Sequence, residues 1–156
     1  MEIIKNEHST YQLYDQDFYA WSLDMASKIR NKEFDCIDIE NVAEEIEALG
    51  RSDYRELISR LEVLIAHLLK WRLQPDKRSS SWRGTIVEQR WRIKKLMSES
   101  PSLKYKLDET DQGELYQGAW NNFYKDTGIE ISKLMASNPY PFTVSQILNN
   151  DFYPDE

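Results

Sequence analysis

The sequence predicts an all-α fold, a single helical bundle of about five main helices plus a short C-terminal one. Apolar residues recur at spacings of three and four in one stretch after another, which is the period of a helix. No stretch shows the strict alternation of a half-buried strand. Only five glycines occur in 156 residues, most of them at positions suited to helix ends. The length fits one domain covering residues 1–156, long enough to bury a core without disulfide staples.

Residues 1–13 have no period and are expected to form a loosely ordered arm. A first helix is predicted from Asp15 to about Asn31, with Tyr14, Phe18, Trp21, Met25 and Ile29 on one face and two acids at the positive end of its dipole. A second, short one runs from Ile39 to Leu49. Asp38 is its N-cap, Ile39, Val42, Ile46 and Leu49 form its stripe, and Gly50 is its left-handed C-cap. The central helix starts at Ser52 or Asp53 and is stopped by Pro75, with Tyr54, Leu57, Ile58, Leu61, Leu64, Ile65, Leu68 and Trp71 in one broad arc. The fourth spans Trp82 to Ser98, with Ser81 as cap, and turns Trp82, Ile86, Gln89, Ile93 and Leu96 or Met97 inward. Val87 and Trp91 fall on another side, so this helix either touches two neighbours or exposes an aromatic. Leu103 and Leu107 open a further helix that resumes at Leu115 and ends at Gly128, kinked or broken near Asp111 to Gly113. Asn138 to Phe142 reads as an extended turn, and Thr143 to Gln146 as a capping box for a short last helix through Leu148.

Charge is distributed unevenly. Seven acids and no base lie between Glu33 and Glu47, whereas nine bases face two acids between Lys70 and Lys95, within a chain of net charge −7. Complementary solvated faces are the plain reading of that pattern. Cys36 is the single cysteine, so no internal disulfide is possible and a reducing compartment is expected. The first residues lack a basic cluster followed by an apolar run, and no apolar stretch reaches the roughly 20 residues of a membrane span. A soluble cytoplasmic protein without membrane contact is expected.

The blocks LYDQDFYAW, NVAEEIEALGRSDYRELISRLEVLIAHLLKW, QPDKRSSSWRGTIVEQR, SPSL and PYPFTVSQILNNDFYP agree in order and spacing with a known pattern. From about Tyr11 to Pro154 the chain resembles the bacterial family catalogued as domain of unknown function 29. That family is frequent in cyanobacteria and has no established biochemical role. The resemblance implies a compact cytoplasmic helical protein and assigns no catalytic residue.

Three constellations have chemical content. Arg60 and His67, on one flank of the central helix with Gln74, resemble the Arg-x4–6-His motif of HEPN ribonucleases. In such a pair the histidine acts as general acid or base on the RNA 2′-hydroxyl and the arginine stabilises the phosphorane-like charge without metal. If Glu44 or Glu45 meets Arg60 and His67, the three form a satisfied polar cluster in which the nearby acids raise the histidine pKa; if the flank faces an open groove, catalysis stays possible. Glu44 and Glu47 also form the Glu-x-x-Glu half of a MazG-type metal motif, but the Glu-x-x-Asp half is missing, and two histidines cannot make a multi-histidine zinc site; no metal or cofactor is expected. The basic and aromatic face between 70 and 95, carried by Lys70, Trp71, Arg83, Arg90 and Arg92, suits phosphates and bases, or an acidic protein surface. No nucleophile elbow or phosphate loop occurs. The sequence therefore points to a non-catalytic module that binds a protein partner, a second copy or nucleic acid through that face. The alternative is a metal-independent endoribonuclease of HEPN-like, toxin type using Arg60 and His67.

Overall fold

A computed structural model describes residues 13–155; the arm expected over residues 1–13, and with it His8, lies almost wholly outside them. Every regular element among the described residues is helical. The chain forms two compact units, Met1–Arg51 and Ser52–Glu156.

In the first unit, α1 (Phe18–Arg30) starts where the Asp17 carboxylate accepts from the Ala20 N–H at 3.0 Å. It buries Trp21 and Met25, and the Tyr14, Phe18 and Trp21 rings pack together at centroid distances of 4.8–5.9 Å. Lys32, at φ 61°, turns the chain into a 3₁₀ turn, Phe34–Cys36. Asp38 then caps the next helix, accepting from the Asn41 N–H and side-chain amide, while its own N–H donates to the Met25 sulfur at 3.4 Å. The Tyr14 phenol donates to Glu45, and that bond pushes its pKa up to about 12.

The expected second and central helices are one. α2 (Ile39–Leu73) is continuous for 35 residues, about 52 Å. Gly128 is the one described glycine with positive φ, so Gly50 is not a left-handed cap. A glycine inside a helix costs only about 1 kcal/mol against alanine, and helix-forming neighbours and the Arg51 guanidinium, which reaches back to Glu44 and Glu47, offset that. The predicted apolar stripe of the N-terminal portion consequently stays outside: Ile39, Ile46 and Leu49 are 64, 65 and 71% exposed.

In the second unit, the 52–73 portion of α2 is the core. Leu57, Leu61, Leu64, Ile65, Leu68 and Trp71 of the predicted arc are buried and Tyr54 and Ile58 partly so, with Ala66, Leu69 and Lys70 extending the buried surface beyond it. Pro75 ends the helix in a 3₁₀ turn. α3 (Ser80–Glu99), capped by Ser79 and not Ser81, contributes Ile86 and Ile93. The next predicted helix is broken: α4 (Ser102–Asp108) stops, and α5 (Gln112–Thr127) restarts where the Asp111 carboxylate accepts from Gly113 N–H. α5 contributes Leu115, Tyr116, Ala119, Trp120 and Phe123, and Gly128 closes it at φ 69°. A short helix the periodicity did not announce, α6 (Ser132–Ser137), precedes the Pro139 to Phe142 turn. Trp120 donates to Pro139 O, and the Tyr116 hydroxyl bridges the Phe142 carbonyl and N–H. α7 (Val144–Leu148) opens on the predicted Thr143/Gln146 capping box and buries Ile147.

Candidate functional site

His67 lies half-buried on α2. Its Nδ1 is 2.9 Å from Val63 O, one turn earlier; a carbonyl only accepts, so Nδ1 carries the proton and Nε2 the lone pair. Lys70 Nζ donates to that lone pair at 3.2 Å and to Asp126 Oδ2 of α5 at 2.9 Å, and lies 5.1 Å from the centre of the Trp82 ring. Burial pushes the His67 pKa below its ordinary value, and the Lys70 ammonium adds to this against the Val63 bond and Asp126.

Two expectations are corrected here. The cluster of Glu44, Glu45 and His67 does not assemble, because α2 makes no turn at Gly50 to fold back on itself: Glu44 pairs with Arg51, Glu45 accepts from Tyr14, and His67 has Lys70. Burial moves the histidine pKa down, where acid neighbours would have raised it. Arg60, two turns from His67, is held by Glu56 at 2.7 Å and by Gln89 of α3 at 3.3 Å.

The face expected across Lys70, Trp71, Arg83, Arg90 and Arg92 is not one exposed surface. Lys70, Trp71 and Arg90 are buried, the last at 1% exposure. Arg90 fans its guanidinium onto three carbonyls of the C-terminal segment: Ile147 O at 2.8 Å, Asn150 O at 3.3 Å and Phe152 O at 2.7 Å. Arg78 donates to Trp71 O, Pro154 O and Asp155 O, and Lys94 to the Asn150 side chain. Arg83 stacks on the Trp71 and Tyr153 rings. Much of the basic run thus fastens the chain's own tail. The sequence could not announce this, because backbone carbonyls look the same at every position.

What α3 turns outward is different. Val87 and Trp91, one turn apart, are 55 and 60% exposed; Lys95 lies 5.4 Å from the Trp91 ring, and Arg92 and Lys94 are exposed alongside. Arg92 pairs with Glu88 and Lys95 with Glu99, both at the surface, where such pairs are weak.

A cleft of about 270 Å³ opens beside α2 and α5, lined by Tyr54, Ile58, Glu62, Thr110, Glu114 and Leu115. Burial, then the nearby Glu114 charge, raises the Glu62 pKa. Gly118 of α5 is bare where Glu62 crosses it, and a Cβ there would overlap the carboxylate. No group of three or more His, Cys, Asp and Glu side chains able to share a metal ion occurs among the described residues. No described helix is long and apolar enough to cross a membrane.

Fold and sites together define an all-helical protein in which His67 is engaged internally and α3 turns an aromatic patch outward among cations. The family model for "Domain of unknown function DUF29" matches residues 13–153, and the chain belongs to that family. Neither the curated proteins nor the solved structures contain a match to it.

Proposed function

We propose that this is a non-catalytic, cytoplasmic interaction module that binds a protein surface through the outward face of α3. The exposed Trp91 carries the reading: a large aromatic left outside a well-filled core, with Val87 beside it and charged side chains at its rim, is the residue type that anchors an interface centre. Protein is favoured over nucleic acid because Arg78 and Arg90 are engaged with backbone carbonyls and Lys70 with Asp126 and His67, which withdraws the cations a polyanion would need. The occupied Nε2 of His67 gives the ribonuclease reading no free general base.

The test compares the wild type with Trp91→Ala and Trp91→Phe in binding to co-purified cellular proteins, and in mobility shift and RNA cleavage under chelator. A defined partner lost in the alanine variant and kept in the phenylalanine one is expected. A salt-dependent RNA shift abolished by Arg92→Glu/Lys94→Glu, or cleavage abolished by His67→Ala, overturns the proposal.

A further inference from the structure

Resting on the α3 reading, we infer that the occupant of that face is a second copy of this chain, presenting the N-terminal portion of its α2. Ile39, Ile46 and Leu49 are each more than 60% exposed and share an edge of the helix at spacings of seven and three, with Val42 between them. That is the a/d repeat of a helix built to lie along another helix. A helix made of good formers does not need large side chains in water, so this stripe adds nothing to the folded chain by itself.

Charge selects the occupant. Between Asp38 and Arg51 there are five acids and one base, and that base is paired with Glu44 and Glu47. Two such stripes brought together would oppose acids with acids. Two α3 faces brought together would likewise oppose Arg92, Lys94 and Lys95 with their counterparts, since Glu88 and Glu99, paired with Arg92 and Lys95, offset only part of that positive charge. One stripe laid on one α3 face instead sets leucine and isoleucine against Val87 and Trp91, with glutamates opposite lysines and arginine. The chain therefore carries both halves of a heterologous contact. Ala43 and Gly50, small residues on the exposed side of the stripe, leave room for the Trp91 indole to approach the backbone; nothing stands within 4 Å of a Cβ built on Gly50. A heterologous contact closes into a dimer when each copy gives both halves to the other, and otherwise grows into larger rings or chains.

Sedimentation of the full chain over a range of concentrations reads this directly. The wild type is expected to move from monomer to dimer or larger at low salt, and back towards monomer in high salt, where screening shortens to about 3 Å at 1 M. Ile46→Glu and Trp91→Glu should each stay monomeric with unchanged far-UV circular dichroism. An equimolar mixture of these two variants should form a one-to-one complex, since one keeps its α3 face and the other its stripe. A mixture that stays monomeric, or association that persists in either variant alone, overturns the inference, as does a wild type that is monomeric throughout. In that last case the α3 reading survives if the Trp91-dependent protein partner is found, and falls with it if not.

Discussion

Arg90 shows what one side chain can hold. It is the largest of the fully buried side chains, and three carbonyls depend on it. Removing it strands one buried and two part-buried acceptors, so Arg90→Met is expected to cost about 3 kcal/mol of unfolding free energy, measured by urea titration. Arg90→Lys should recover little of this, because an ammonium cannot reach three carbonyls spread as a fork. His67 gives a pH signature. The groups facing it are the Lys70 ammonium and, through Lys70, Asp126. Its folded pKa is depressed, so the unfolded chain takes up the proton first as the pH falls. Stability is then fully present above 6.5, the ordinary histidine value, and declines as the pH drops from there through the folded pKa. The difference between wild-type and His67→Gln unfolding curves across pH 7 to 5 should isolate that slope; a flat difference would show that burial does not depress the histidine in solution.

Helices are where reading and structure diverge most, and one glycine explains the main divergence. Gly50 and Gly128 follow equally good apolar stripes, yet only Gly128 adopts the left-handed cap. The stripe cannot decide between a stop and a pass, because a mid-helix glycine costs only about 1 kcal/mol. Alanine substitution separates them: Gly50→Ala should stabilise by about 0.5–1 kcal/mol and Gly128→Ala should destabilise by about 1 kcal/mol, both by thermal or chemical denaturation. Gly118 is a third kind. Gly118→Ala should gain less than helix propensity alone gives, because the Glu62 carboxylate must swing aside, and should gain the full amount in the Glu62→Ala background, a coupling that a double-mutant cycle measures. The central arc, the inward set of α3, the break near Asp111 and the Thr143 capping box were all legible, since each depends on local spacing or capping chemistry. α6 was not, because its six residues carry less than two turns of pattern.

For the chain as a whole, family and helical class could be read from sequence, whereas the candidate site could not. The basic run between Lys70 and Lys95 looked like one surface because sequence records charge without direction. The structure sorts its members into buried anchors, such as Lys70 and Arg90, and an outward remainder around Trp91. The apolar stripe of Ile39 to Leu49 was likewise read as core, and exposure reassigns it.

The Arg90 clamp also has a consequence in time. Its first carbonyl partner follows it by 57 residues in sequence. A ribosome adding about 5–20 residues per second therefore extends the chain for roughly 3–11 s between making the guanidinium and making the first backbone that covers it. Throughout that interval the nascent helix α3 carries an uncovered fork of donors beside unpacked Ile86 and Ile93. Vectorial synthesis thus leaves this part of the bundle open until residues 147–152 arrive, so slow translation between Arg90 and Ile147 should lengthen its exposure to chaperones.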